Sequence, residues 1–311
     1  MMRLLPCQGG GCLGIGQAIV AEAIEKRSGK QAWQLADLVG GTSVGAINGA
    51  CFAAGISAAD MMSFYTSWAA KIFSGGYGYW ARQTFASAKY DSTELDKALA
   101  AVLGQRTLAD CKTNFLATGI DMASGRLVFY QSYGKSYEDE EEIVVGPDSG
   151  MKLCDVASAS ARAQTYFQGA EQGARMVWDG GNTGNNAPDW LLCEEAEDFF
   201  QEKVGVMLSL GPGKVAWPFK GPDMRNPGIV TVLKATLQVV FSGPECSSIR
   251  AARRHVGAGY FRLNAPLPSS YEIDDASVDT QAAEMSAWRQ YLADQTAALD
   301  AFIAGGVQTS A

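Results

Sequence analysis

The sequence carries a single histidine, His255, among 311 residues. A serine triad of the usual kind needs an imidazole as its base, and this one is badly set for the task. It lies in Ile249-Arg250-Ala251-Ala252-Arg253-Arg254-His255-Val256, where neighbouring positive charge disfavours the imidazolium a base must form. Its ordinary reading is a surface residue. The same scarcity excludes a zinc site, because no paired ligand spacing occurs. The seven cysteines, Cys7, Cys12, Cys51, Cys111, Cys154, Cys193 and Cys246, are odd in number and include no Cys-x-x-Cys pair. Most sit in apolar contexts and read as reduced, buried thiols in a reducing compartment. Positive charge is also short: 25 Lys and Arg against 33 Asp and Glu give a net charge of −8. That excludes a uniformly basic surface, and no nucleic-acid partner is expected. Nor is the whole molecule drawn electrostatically to an anionic membrane. Arg250, Arg253 and Arg254 form the one basic cluster. No apolar stretch reaches the roughly 18 residues of a membrane-spanning helix. The apolar start, MMRLLPCQGGGCLGIGQAIV, is broken at once by Pro6 and three glycines, so it does not read as a secretory leader. A cytoplasmic protein is expected, with peripheral association to membranes left open.

Apolar residues are plentiful. They make up 47% of the chain, against 19% charged, enough for a sizeable core. No internal repeat or linker stands out, so one catalytic domain is expected over residues 1–311. Leu4–Cys7 and Ala36–Val39 read as short strands. Ile15–Arg27 reads as a helix, with Ile15, Ile19, Ala23 and Ile24 at helical spacing. Val44–Ala54 is small and apolar, as a helix packed tightly on a sheet would be. Strand, helix and strand in this order imply parallel pairing with a right-handed crossover. Helices are then expected over Ala58–Ile72, Thr93–Val102, Ile229–Phe241 and Gln281–Ile303. Strands are expected over Asn114–Asp121, Arg126–Gln131 and Val204–Leu210. Tyr137–Glu142 reads as a solvated acidic loop.

Two glycine motifs carry chemistry. Gly41-Thr42-Ser43-Val44-Gly45 matches Gly-x-Ser-x-Gly between an expected strand and an expected helix. In that setting the turn is too tight for a Cβ at the flanking positions, and the serine is raised beside a helix N-terminus. Ser43 is therefore the candidate nucleophile. Gly9-Gly10-Gly11-Cys12-Leu13-Gly14 follows the first strand. It fits the dinucleotide fingerprint, but the acid that fingerprint needs is badly placed, since Asp37 lies within the second strand candidate. The alternative is an oxyanion hole, in which amides of Gly9, Gly10 and Gly11 meet a tetrahedral intermediate. For a base, Asp179 stands at the end of Met176-Val177-Trp178 and before Gly180-Gly181-Asn182. Glycines there permit close approach to another loop, although a lone Asp-Gly is more often a turn.

Together these motifs resemble the patatin-like phospholipase family. Gly9–Gly14 is similar to its oxyanion loop, Gly41–Gly45 to its nucleophile elbow and Asp179-Gly180-Gly181 to its aspartate motif. Lys89-Tyr90-Asp91, the run ASASARAQTYF ending at Phe167, Asn185-Asn186-Ala187-Pro188, Leu208–Gly211 and Tyr260–Asn264 are similar too. The resemblance spans roughly residues 4 to 265. It implies a three-layer α/β/α sandwich with a mainly parallel central sheet and a Ser43–Asp179 dyad that needs no metal or cofactor. Gly14, Gly41, Gly45, Gly180 and Gly181 would support that dyad. The implied reaction is hydrolysis of phospholipid or another acyl-ester lipid at a membrane surface, with a homo-oligomer or a regulatory protein as the partner that could gate it. Met61–Phe73 and Ile229–Phe241 are roughly amphipathic segments through which lipid could enter, core packing being the more ordinary reading. An acyltransferase or thioesterase on the same site, or a catalytically silent binding module, are the alternatives. The chain departs from the family at Gln8, where aspartate is common, and at Leu13, where a basic residue is common. It departs again at Gln164, in place of proline, and at Arg162, in place of a small residue. Pro6 inside the first strand would remove a ladder donor.

Overall fold

Five strands form the parallel heart of the molecule: β1 (Met2–Cys7), β2 (Leu38–Gly41), β3 (Asn114–Asp121), β9 (Val204–Leu210) and β10 (Tyr260–Leu263). They lie in the order β10-β9-β1-β2-β3. The computed structural model describes residues 1–74, 88–216, 219–228, 231, 232, 235, 247–269 and 271–305. Within those residues the sheet continues from β3 through β4 (Arg126–Gln131), β6 (Glu142–Val145) and β5 (Tyr137–Glu138). On its other edge β3 also pairs with β8 (Arg175–Asp179), which pairs in turn with β7 (Ala170–Gln172). The sheet is thus mixed, parallel on the β1 side and partly antiparallel beyond β3.

Alternation along the strands builds the layers. Leu5, Val39, Phe115 and Leu208 point into a large core under α1 (Ile15–Ser28), α2 (Val44–Ala54) and α3 (Ala58–Ile72). Their neighbours Leu4, Leu38, Leu116 and Met207 face a second core with Leu192, Cys193, Ala196 and Ala252. Both faces of the parallel strands are therefore covered, which is why these strands read as nearly continuous apolar runs. Pro6 sits in β1 between β2 and β9. The Gln8 N–H points to Leu210 O of β9. Two-residue alternation puts the nitrogen of Pro6 on that same side, so the missing donor falls on the β9 ladder.

The helices expected over Val44–Ala54 and Ala58–Ile72, and the strands Asn114–Asp121, Arg126–Gln131 and Val204–Leu210, have those bounds in the structure. The second strand starts at Leu38, not Ala36, because Ala36 N bonds Ala32 O and closes a turn. The final helical region is two helices, Val278–Ala293 and Thr296–Ala304, separated by Asp294 and Gln295. Helix Leu153–Ala161 is not among the expected helices; its apolar stripe is short and made largely of small residues. Most of Ile229–Phe241 lies outside the described residues, as does Cys246; the other six cysteines are free thiols.

The C-terminal helix Val278–Ala293 is anchored by Trp288, fully buried against Gly16 of α1. A side chain at Gly16 would overlap that indole. Trp288→Ala should therefore destabilise the fold by about 3–5 kcal/mol, read as a lowered midpoint in chemical denaturation.

Candidate active site

β2 runs parallel to β3 and stops with Gly41 opposite Ala117. β8 runs antiparallel to the same edge of β3 and stops with Asp179 opposite Gly119. Two strands thus approach nose to nose along one edge, separated by two residues of β3, about 7 Å. The residues at and just beyond their tips are Asp179 and Ser43.

Ser43 has φ 59° and ψ −130°, a backbone conformation that costs on the order of 1–3 kcal/mol and persists only where its surroundings impose it. Several bonds do so here. Ser43 N–H donates to Ser160 Oγ at 3.0 Å. Thr42 Oγ1 donates to Asn185 O at 2.5 Å and lies 2.8 Å from Thr118 Oγ1. Gly45 N–H closes the turn on Thr42 O at 2.8 Å. A Cβ on Gly41 would overlap Gly45 O, and one on Gly45 would overlap Cys7 O. Both clashes are with backbone, so no rotamer relieves them. Ser43 caps α2, whose first-turn dipole favours charge developing there.

Asp179 is wholly buried. Its Oδ1 accepts from Gly181 N–H at 2.7 Å, and its own N–H donates to Arg162 O at 3.1 Å. Its Oδ2 makes no hydrogen bond of full geometry among the described residues. Burial pushes the carboxyl up to about 6, while the Gly181 amide and the neighbouring Ser43 hydroxyl pull the other way. The serine hydroxyl thus favours the ionised acid, although no full hydrogen bond joins the two among the described residues.

The glycine loop lies against this pair. A Cβ at Gly9 would come within 2.9 Å of Ser43 Cβ. Gly9 N–H, however, donates to Asn186 O at 3.0 Å, so the expectation that Gly9 is an oxyanion donor is corrected. Gly9 is a spacer whose amide is already engaged. The Gly10 and Gly11 amides have no acceptor among the described residues. Gly11 has φ 59° with Ile273 O packed against it, and Cys12 N–H donates to that same oxygen at 2.7 Å. Gln8, where the family often has aspartate, accepts through Oε1 from the Arg262 guanidinium. The amide keeps a contact that a carboxylate would make as an ion pair. Arg162 bonds Asp96, Ser158 Oγ and the carbonyls of Gln168 and Gly169, bracing the chain that leads to β8.

Ser43, Asp179 and the glycine loop open on a cavity of about 280 Å³. Its apolar wall includes Phe64, Tyr65, Ala69, Ile72 and Phe73. Most of the apolar face of Met61–Phe73 is thus buried as core and cavity lining, in line with core packing as the ordinary reading of its spacing. His255 is remote in role: its Nε2 lies 2.7 Å from Glu197 Oε1 on the second core's side, with Trp190 edge-on. Asp37 accepts from Arg3 N–H before β2 begins, at the sheet end opposite the glycine loop, so the dinucleotide reading falls. Ser160, Thr118 and Ile273 were not legible as site residues. Ser160 alone had a signal, lying within the quoted ASASA run.

A family model, "Patatin-like phospholipase", matches residues 5–189. The chain belongs to the patatin-like phospholipase family. Its fold is that of the family, and its enzyme class is lipid acyl-ester hydrolysis. A "cGAMP-activated phospholipase" of Pseudomonas aeruginosa is 26% identical over 89% of this chain and 82% of its own length. The "85/88 kDa calcium-independent phospholipase A2" of Rattus norvegicus is 28% identical over 88% of this chain. There the chain spans only 37% of the relative. The crystal structure of VipD from Legionella pneumophila overlaps 94% of this chain and 66% of its own, at a TM-score of 0.43 and 12% identity.

The buried acid has a thermodynamic consequence. The folded protein holds the Asp179 proton more tightly than the unfolded chain does, so its contribution is most favourable below the unfolded value near 4 and is lost as pH rises through about 6. Asp179→Asn removes that penalty. Its thermal midpoint should match wild type near pH 4 and exceed it at pH 8, by the equivalent of a few kcal/mol.

Proposed function

We propose that this chain hydrolyses acyl esters of membrane lipids through Ser43 as nucleophile and Asp179 as its sole base. The observation that carries the reading is the meeting of β2 and β8 on one edge of β3, with a strained serine at one tip and a buried carboxylate at the other. Asp179 takes the Ser43 proton as Oγ attacks the ester carbonyl. The carbonyl oxygen becomes an oxyanion held by the Gly10 and Gly11 amides, each such donor contributing roughly 3 kcal/mol. The tetrahedral intermediate collapses, the leaving alcohol takes the proton from Asp179, and an acyl–Ser43 ester remains. Asp179 then deprotonates water, which attacks that ester, and fatty acid leaves as Ser43 regains its proton. Gly14, Gly41, Gly45 and Gly180 act through close packing, and Gly181 through the amide that holds Asp179 Oδ1.

The protein works as one catalytic unit: Asn264 and Ile273 line the cavity together with Gly10 and Ser43. We place it in the cytoplasm, peripherally at a lipid surface. Among the described residues no helix is long and apolar enough to cross a membrane. Transfer to an alcohol other than water would use the same acyl–Ser43 ester and differ only in the acceptor.

Mass spectrometry of phospholipid vesicles treated with wild type should show free fatty acid and lysolipid. Ser43→Ala should lose at least about 10³-fold in kcat, and Asp179→Asn about 10²–10⁴-fold. For wild type, kcat/KM should rise with pH and level off above about 6, as Asp179 ionises. Activity retained by Ser43→Ala, or a fluorophosphonate attached to another residue, would sink the assignment.

A further inference from the structure

Among the described residues the catalytic cavity has one positive side chain in its wall, Lys214, and one negative one, Asp179. Lys214 is exposed, unlike the buried apolar residues Phe64, Tyr65 and Ile72 that line the same cavity. Its backbone is nevertheless fixed. Lys214 N–H donates to Ala265 O at 2.8 Å, and Lys214 O accepts from Leu267 N–H at 3.0 Å. These bonds form a parallel bridge to Pro266 that prolongs the β9–β10 pairing. Just before it, Gly213 N–H donates to Asn264 Oδ1 at 2.8 Å, and Asn264 lines the same cavity. The lysine therefore stands on a held strand extension past the carboxyl ends of the parallel strands, where ligands of open α/β sheets bind. It has no carboxylate partner among the described residues.

Two further facts give this charge meaning. The chain as a whole carries −8, so an anionic ligand meets a repulsive field everywhere but at a local cation. The glycine loop supplies no cation, since Leu13 stands where one is common in the resembled family. Lys214 also lies beyond residues 5–189, the part matched by the family model. An ammonium on a flexible stem is a point-charge binder of phosphate.

We propose that Lys214 binds the head-group phosphate of a glycerophospholipid whose acyl carbonyl lies at Ser43, and so sets a preference for phospholipid over neutral acylglycerol. This rests on Ser43 and Asp179 being the reacting pair. The test compares wild type, Lys214→Gln, Lys214→Arg and Ser43→Ala on mixed micelles of phosphatidylglycerol and of diacylglycerol with the same acyl chains. The ratio of kcat/KM for phosphatidylglycerol to that for diacylglycerol should fall about tenfold in Lys214→Gln, mainly through KM. Lys214→Arg should recover most of it. Added salt should depress the wild-type ratio and barely change that of Lys214→Gln. An unchanged ratio overturns the proposal, as does a wild type that hydrolyses only diacylglycerol. An equal loss of kcat on both lipids in Lys214→Gln overturns it too, and assigns the charge to the oxyanion. Ser43→Ala separates the two readings: if it retains activity, the reacting pair is wrong and the Lys214 proposal falls with it. If it is inactive while the ratio is unmoved by Lys214→Gln, the phosphate contact alone is wrong. Circular dichroism melts of the variants identify any loss that comes from unfolding.

Discussion

One edge of β3 organises the site. Along that edge β2 arrives parallel and β8 antiparallel, and neither can extend without meeting the other. Only Thr118 stands between Ala117 and Gly119, the two residues opposite the strand tips, and its hydroxyl contacts Thr42. A Cβ on Gly180 would overlap Thr118, so the turn after Asp179 must be glycine for β8 to come this close. The separation of serine and acid is therefore fixed by sheet register. A one-residue slip of β8 would turn Asp179 to the other face. Loop conformation has little freedom to alter the pair, which suits chemistry that tolerates only small errors in position.

That constraint propagates into strain. To stand at the gap, Ser43 takes a positive φ, and the surrounding bonds come from four separate places: Ser160, Asn185, Thr118 and the Gly45 turn. None is near another in sequence except the turn itself. Strain held by long-range contacts is a property of the completed fold, because no local segment imposes it. The glycine loop shows the same logic from the other side. Asn186 O fixes Gly9, Ile273 O fixes Cys12, and the two amides between them are left pointing nowhere within the described protein. Gly10 and Gly11 are only partly buried and line the cavity, so their amides are available to an acceptor bound there.

These long-range ties explain what was readable in the residues and what was not. The strand–turn–helix around Ser43 was legible because its signals are local: an apolar run, two glycines and a small-residue helix. Asp179 was legible only with the help of resemblance, since Asp-Gly-Gly by itself is turn chemistry. His255 was legible as a poor base from its cationic helix, and the structure pairs it with Glu197. The engaged amide of Gly9 could not be read, because its acceptor, Asn186 O, lies in another segment and is backbone, without a residue-type signature. Ile273 and Lys214 fail for the same reason: their roles depend on where the chain beyond β9 and β10 passes. The amphipathic spacing of Met61–Phe73 was real, but spacing alone does not tell a cavity wall from a membrane face.

A serine with an aspartate and no histidine must solve a problem of basicity. A solvated carboxylate with a pKa near 4 is a feeble base for an alcohol. Burial raises Asp179 to about 6, which brings its basicity close to that of an ordinary imidazole. With Asp179 as the proposed base, the site would reach by desolvation what a triad reaches by residue type. The Gly181 amide limits how far that goes: it favours the ionised form, so the acid is still deprotonated at neutral pH. Oδ1 is held by Gly181 and Oδ2 makes no hydrogen bond among the described residues, so in the proposed reaction one oxygen would orient the carboxylate and the other would take the proton. In the proposed reaction the work of a histidine and its orienting aspartate would thus be divided between two oxygens of a single side chain, and the price is a buried charge that the rest of the fold must stabilise.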